Sequence, residues 1–327
     1  MTLILNSTEI KDCVKFNAEL VPVIEDAFKS LSLGKTVMPP ILRLDIEKYH
    51  GESDVKAAYI EGLDSFAVKV ASGFFNNPKL GLPSSNGLMI LLDSQTGVIK
   101  SVLLDKGYLT DVRTAIAGAI AAKYLSNPES STVAIIGAGI QARMQLEALT
   151  LVRDIKKINV WSRDINKTHA YIEKVSKNIN LNFTAFDNTN DVVKNADILI
   201  TTTPSKKPLI DYSSLPKGIH ITAMGSDAEE KNELEPDIIK NCDAYVPDSQ
   251  AQTCILGELN HAIKNNLINS SMIFNDLGKI IINPELGRKN TQDITVADLT
   301  GTGVQDTAIA RFAFSTAKEK KLGIVIK

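Results

Sequence analysis

Four charged side chains sit where the hydrophobic pattern leaves no ordinary place for a charge. Lys69 lies inside the apolar run FAVKVAS, Arg113 near the start of the alanine-rich segment DVRTAIAGAIAAKYL, Arg43 after PPIL, and Asp227 after HITAMGS. Burying a lone charge is costly, so long cations in apolar strands are paired or bind a ligand. Arg113 reads equally as one half of a structural salt bridge. A second kind of chemistry is written at residues 132–145, TVAIIGAGIQARMQ, where a β-branched run leads through Gly137-Ala138-Gly139-Ile140-Gln141-Ala142 into a helix-forming segment. This is the strand–turn–helix of a dinucleotide site, G-x-G-x-x-A. Gly137 permits the tight turn, Gly139 lets the backbone approach a pyrophosphate, and Ala142 allows close helix–strand packing. The amides at the helix start, around Ile140 and Gln141, supply an anion site. Alone, the motif is weak, so its surroundings must decide.

Those positions need elements to hold them. Asn6 with Glu9 resembles a capping box opening a helix through about residue 32. Gly34 and Pro39-Pro40 then break the chain, and from Ile41 to Leu104 the pattern shortens to strand-like runs such as AVKVAS and GLMILLD. Residues 111–125 read as a buried helix, and Asn127-Pro128, which ends it, marks the expected domain boundary. Beyond it, strands expected at 132–136, 158–162, 182–186, 197–203, 218–224 and 243–247 alternate with helices near 140–152, 166–177, 189–195 and 232–240. Such alternation signals a parallel sheet with right-handed crossovers. A helix from about Val304 to Lys318 and the strand LGIVIK return to the first domain. The expected fold class is α/β: a Rossmann-type doubly wound parallel sheet over residues 128–303, plus an α+β domain built from 1–127 and 304–327.

Bulk properties exclude several functions. A chain of 327 residues suits about two domains, and its 44% hydrophobic and 23% charged content is that of a soluble globular protein. With 36 basic against 38 acidic residues there is no field to attract nucleic acid or an anionic membrane. MTLILNSTEIKDC lacks the features of a signal peptide, and no apolar run approaches the ~20 residues that span a bilayer, so a cytoplasmic protein is expected. Cys13, Cys242 and Cys254 read as reduced thiols rather than a disulfide framework, and the four isolated histidines give no metal-ligand spacing.

The residue after the second strand of such a sheet tells the nicotinamide cofactors apart: a carboxylate binds the ribose hydroxyls of NAD, while small polar residues and Arg accommodate the 2′-phosphate of NADP. Here the segment reads VWSRD. With Ser162 in the acidic position, Arg163 pairs with a phosphate and NADP is favoured. A register one or two residues on puts Asp164 there and favours NAD. The loop also reads as merely solvated. Thr201, Thr202 and Thr203, at the end of NADILITTTP, are cofactor contacts or simply β-branched strand residues.

Five segments in order, FAVKVASGFFNNPKLGLPSSNGLMILLD, LTDVRTAIAGAIAA, IIGAGIQARMQ, GSDAEEKNEL and DLTGTGVQD, resemble the ornithine cyclodeaminase/μ-crystallin family over nearly the whole chain. The resemblance implies a homodimer whose N-terminal domain provides both the dimer interface and the substrate site, with NAD(H) or NADP(H) in the Rossmann domain. It implies that Arg43, Lys69 and Arg113 clamp a substrate α-carboxylate, which suits the rigid fork of Arg and the mobile point charge of Lys. Asp227 matches the general acid/base, acting with Lys69 at the catalytic centre. The implied cofactor contacts are Ser84, Arg113, Thr114, Gly137, Gly139, Ile140, Gln141, Ala142, Ser162, Arg163, Thr202, Thr203, Met224, Gly225, Ser226, Lys231 and Leu299, with Leu299 and Thr300 lining the nicotinamide pocket and Thr300 also touching substrate. Two departures stand out. The usual Pro-Gly before Lys231 is Glu229-Glu230, and KAAYIEG at 56–62 replaces a Met-rich stretch, carrying Lys56 and Tyr59 as candidate contacts for a distal substrate group. The chain looks most like the branch linked to ectoine utilisation and iminosuccinate reduction.

The implied function is NAD(P)H-dependent reduction of a small α-imino acid to the amino acid, without a metal. The alternative is ornithine cyclodeamination to proline and ammonia with catalytic NAD. A third reading is a non-enzymatic carrier of the μ-crystallin kind, against which the retention of Asp227 beside three cations argues.

Overall fold

Asn6 closes strand β1 (Thr2–Asn6) and caps helix α1 (Ser7–Cys13): its side chain accepts from the Thr8 and Glu9 amides, and the Glu9 carboxylate accepts from the Asn6 amide at 2.9 Å. The capping box is present, but the single helix expected through residue 32 is not. The extended backbone of Val14, whose side chain is fully buried, stops α1, and α2 (Leu20–Ser32) starts afresh. The computed structural model describes residues 1–327 and divides into two units, Met1–Arg113 with Thr302–Lys327, and Thr114–Gly301.

In the first unit β2 (Thr36–Val37), β3 (Leu42–Ile46), β4 (Gly51–Ile60), β5 (Ser65–Phe74), β6 (Ser85–Asp93) and β7 (Ile99–Leu104) precede helix α3 (Tyr108–Leu125). The sheet runs β1-β7-β6-β5-β4-β2, with β3 also paired to β4. Strand β1, not expected from the sequence, exists because Leu3 and Leu5 alternate into the core and the strand pairs in parallel with β7 some 98 residues away. The division of the chain falls within α3, between Arg113 and Thr114; Asn127-Pro128 marks where that helix ends.

In the second unit the strands are β8 (Thr132–Ile136), β9 (Lys157–Trp161), β10 (Asn182–Phe186), β11 (Ile198–Thr201), β12 (Lys206–Ile210), β13 (His220–Ala223), β14 (Asn232–Leu234), β15 (Ala244–Pro247) and β16 (Thr295–Asp298). Its helices are α4 (Ile140–Leu149), α5 (Ile165–Ser176), α6 (Thr189–Val193), α7 (Pro236–Asn241), α8 (Gln250–Thr253), α9 (Gly257–Lys264) and α10 (Leu277–Ile282). Seven strands pair in parallel in the order β10-β9-β8-β11-β13-β16-β15, so the Rossmann-type doubly wound sheet is observed. The order reverses direction at β8, and ligands of such sheets bind at the strand C-termini beside that switch. The helix expected over 232–240 begins instead as β14, which pairs with β12; Pro236, which suits only a first helical turn, delays α7.

The chain ends with α11 (Gly303–Lys320) and β17 (Ile324–Ile326), which pairs antiparallel with β1. Helix α11 lies against β4 and β5. A Cβ at Gly303 would fall 2.4 Å from the Ala57 carbonyl, and the Thr307 hydroxyl donates to Ala58 O at 2.7 Å. No helix is long and apolar enough to cross a membrane.

Candidate active site

Antiparallel pairing sets Lys56 on β4 directly opposite Lys69 on β5, so both side chains rise from one face of the first unit's sheet. Both are buried. Helix α11 covers this face, and its start is set by a second capping box between Thr302 and Gln305. One residue on, the fully buried Asp306 binds Lys69 Nζ through Oδ2 and accepts from Arg113 Nε through Oδ1, both at 3.0 Å. Arg113 Nη1 also donates to Gln305 Oε1 at 3.4 Å. Burial pushes Lys69 well below its ordinary value, Arg113 and Lys56 adding to the effect and Asp306 opposing it. Burial alone would raise the Asp306 carboxyl, but Arg113, Lys69 and Lys56 hold it low. Lys69, Arg113 and Lys56 thus all act on the Asp306 carboxylate, and a grouping of cations of this kind suits a small anion.

Arg43 stands on the same face, opposite Asp54 in the β3–β4 register. Its guanidinium is held by Glu52 at 2.7 Å, Asp45 at 3.0 Å and Asp54 at 3.7 Å, so its charge is already balanced. Tyr59 is not brought to the cluster. Three residues along an extended strand from Lys56, it points to the opposite face, beside Val37 of β2.

In the second unit, Gly137 adopts φ +124°, and a Cβ there would lie 2.6 Å from Thr202 Oγ1. A Cβ at Gly139, which opens α4, meets nothing within 4 Å. Ala142 is fully buried against the β8 side chains Val133 and Ile135. The turn therefore has the shape that a dinucleotide phosphate needs: close backbone on one side, open space on the other. A cavity of about 400 Å³ lies over it, lined by Gly137, Gly139, Ser162, Arg163, Thr202 and Thr203, together with Trp161, Asp164 and Lys167. Gly137→Ala is expected to cost about 1–3 kcal/mol of backbone strain and to weaken dinucleotide binding. Thermal unfolding and calorimetric titration check this; if neither changes, the turn is not the binding element.

Asp227 lies in the loop after β13, its side chain 44% exposed, with Lys231 Nζ 2.7 Å from Oδ1. Buried carboxylates frame this loop. Glu233 accepts from the Thr203 amide at 2.5 Å, the Thr203 hydroxyl at 2.7 Å and the Gly225 amide at 2.8 Å. Glu258 accepts from the Glu233 and Leu234 amides and Asn232 Nδ2, and Asp298 from Tyr245 Oη and the Glu258 and Leu259 amides. Burial pushes all three upward, and Glu258 is raised further by Asp298 and Glu233. The Glu229-Glu230 departure has a physical substitute for a rigid turn: Glu229 pairs with Lys264 at 2.8 Å and Glu230 with Lys206 at 3.6 Å.

The remaining expected residues fall as follows. Met224, Gly225 and Ser226 follow β13, and Leu299 and the buried Thr300, whose hydroxyl donates to Asp248, follow β16. Thr201 closes β11 and Gln141 lies in the first turn of α4. Thr114 O accepts from Gln145 Nε2, and Ser84 sits in the loop before β6. Asp306, Gln305 and Lys167 were missed by sequence reasoning. The T-x-x-Q spacing of Thr302–Gln305 was a visible signal for Gln305 alone, because it marks the capping box of a helix start.

A parallel sheet carrying this glycine turn at its switch point, with a cavity over it, defines a dinucleotide-dependent enzyme, and its cofactor is a nicotinamide dinucleotide. A profile of the ornithine cyclodeaminase/mu-crystallin family matches residues 1–321. The chain belongs to that family. It is 52% identical over 321 residues to an uncharacterized cyclodeaminase of Sinorhizobium fredii, covering 98% of this chain and 97% of that one. Its structure is similar to that of Thermococcus litoralis Delta(1)-pyrroline-2-carboxylate reductase in complex with NADH and L-proline, with TM-score 0.92, 28% identity, and 99% and 100% of the two chains covered. It is also similar to an archaeal alanine dehydrogenase dimer with bound NAD, with TM-score 0.91, 32% identity, and 100% and 99% covered.

Proposed function

We propose that the protein reduces a small α-imino acid to the amino acid. The observation that carries this reading is the buried cluster of Lys69, Arg113 and Lys56 around Asp306, which offers a carboxylate two firmly held cations and a third beside them. Lys69 and Arg113 bind and orient the substrate carboxylate, each fixed by an Asp306 oxygen, and positioning of this kind lowers the barrier. Arg43, on the same face, completes the clamp if its carboxylate partners give way. Lys56 takes a distal carboxylate where the substrate has one. Asp227, 44% exposed and with Lys231 Nζ 2.7 Å from its Oδ1, takes up a proton from water and passes it to the substrate nitrogen. The bound nicotinamide supplies the hydride. An imine carbon is electron-poor enough to accept it without a metal.

The test is a panel of small imines, cyclic and dicarboxylic, with reduced cofactor followed by absorbance. Stoichiometric consumption of cofactor is the expected result. A second reading is ornithine cyclodeamination, in which the same residues act and the cofactor is regenerated; the Sinorhizobium relative is described as an uncharacterized cyclodeaminase. Sustained proline formation from ornithine with catalytic NAD would establish that reading and overturn the first.

Lys69 gives a pH test. A clamp needs it protonated, and its value lies below that of a free lysine, about 10.4. Since the charged form is lost as pH rises through the folded value, kcat/KM is expected to fall on the alkaline side well before pH 10, chiefly through KM. Lys69→Arg, which keeps its charge, should flatten that limb; an unchanged limb removes Lys69 from substrate binding.

A homodimer is part of the proposal. On the sheet face opposite Lys69, Leu42, Val55, Val70 and Leu88 form one apolar row across four strands, and Ala57, Val68, Ile90, Val102 and Ile4 form a second. Leu42 and Leu44 are more than half exposed. A second copy is the partner that such a face suits, in line with the archaeal alanine dehydrogenase dimer. Sedimentation at micromolar concentration is expected to give twice the chain mass.

A further inference from the structure

We propose that the second unit's cavity takes the 2′-phosphorylated dinucleotide, NADP(H), in preference to NAD(H), with Arg163 and Lys167 holding the 2′-phosphate. This rests on the reading of that cavity as the dinucleotide site. Strand β9 ends at Trp161, so the next residue, Ser162, occupies the place from which a carboxylate would accept the two ribose hydroxyls of NAD. A serine cannot accept both. Its oxygen is moreover engaged with Asp164 O at 2.9 Å and Thr168 Oγ1 at 2.8 Å.

The first available carboxylate is Asp164, two residues on. Its side chain is already committed to capping α5, where Oδ1 accepts from the Asn166 amide at 3.0 Å. An aspartate turned back onto its own helix is poorly placed to reach out and chelate a diol. What lines the cavity around it is cationic. Arg163 and Lys167 are both exposed there, and neither side chain makes an ion pair or hydrogen bond within the protein. Their spacing follows from α5: Arg163 lies just before the cap and Lys167 in the first turn, so both flank one opening. The two cations outweigh Asp164, leaving a net positive rim. A 2′-hydroxyl gains nothing from that charge, whereas a phosphate dianion gains charge-assisted hydrogen bonds from an Arg fork and a Lys ammonium. Because the site is open to solvent, the gain is moderate and falls with salt.

Trp161 is the only tryptophan of the chain and lines this cavity, so its fluorescence reports binding without turnover. The full-length protein is titrated with NADPH and NADH, and with 2′,5′-ADP and 5′-AMP, by calorimetry and tryptophan quenching. NADPH and 2′,5′-ADP are expected to bind about tenfold or more tighter than their unphosphorylated counterparts, with the preference shrinking between low and high salt. Arg163→Ala and Lys167→Ala should each reduce the preference and together erase it, lowering 2′,5′-ADP affinity more than 5′-AMP affinity. Ser162→Asp should reverse it. NADH binding as tightly as NADPH, or a preference that survives the double variant, overturns this proposal alone. If neither dinucleotide binds, the reading of the cavity falls with it.

Discussion

Asp306→Asn is expected to cost about 3–5 kcal/mol of folding stability at neutral pH, as removal of one partner from a buried ion cluster does. The carboxylate is fully buried and binds Lys69 and Arg113 through separate oxygens, so its neutralisation leaves both cations, with Lys56 beside them, without that charge. Asparagine keeps the size but can accept from only one of the two cations, its NH2 facing the other donor, so a charge and a hydrogen bond are lost together. The loss should shrink as the pH rises from about 5 to about 7. Burial sets Lys69 at about 7 in the parent, and loss of Asp306 lowers it further, so in that window the folded parent still holds the proton that the folded variant has shed; the unfolded chain keeps it throughout, and the variant's stability therefore rises more steeply with pH than the parent's. Urea unfolding at the two pH values measures both effects. A small carboxylate such as an amino-acid product should partly rescue the variant by supplying the missing charge. A loss under about 1 kcal/mol, with no rescue, would show that the cluster is not under charge stress.

Asp227→Asn should behave in the opposite way. Its side chain is 44% exposed, so folding stability is expected to change by less than about 1 kcal/mol. The turnover number should fall by about 10²–10⁴-fold, the usual worth of a positioned proton donor, with KM little altered because the proposed carboxylate clamp is untouched. Lys231 loses this ion-pair partner. A turnover number within about threefold of the parent, for every imine and amine tried, would withdraw Asp227 from proton transfer and strengthen a carrier role. The two variants together separate a residue that holds the site in place from one that acts on the substrate.

Much of this was readable along the chain because it depends on neighbours in sequence. The turn at Gly137–Ala142 needs only a β-branched run before it and a helix after it, and the positive φ of Gly137 is the conformation that choice of residue anticipates. Lys69 announced itself as a charge in an apolar strand. Asp306 did not, since an acid in the first turn of a helix is ordinary; its importance appears only when Arg113, 193 residues earlier, reaches it. Lys56 and Tyr59 looked like one unit in KAAYIEG, yet the two-residue period of a strand sends them to opposite faces. The helix expected through residue 32 failed for a similar reason: the burial of Val14 outweighed local helical pattern.

What the amino-acid order determined by itself was the cofactor class, the alternation that makes a parallel sheet, and which charges fall within apolar segments. Each of these depends on spacings of a few residues. Only the tertiary structure decided which carboxylate those cations share, that the charge of Arg43 is already met by Glu52, Asp45 and Asp54, and that Asp164 spends its side chain on capping α5 while Ser162 takes the place after the strand. The physical reason is the reach of each interaction. Backbone geometry is set by adjacent residues, whereas a buried charge is balanced by whatever the fold brings within about 3 Å of it, from anywhere in the chain.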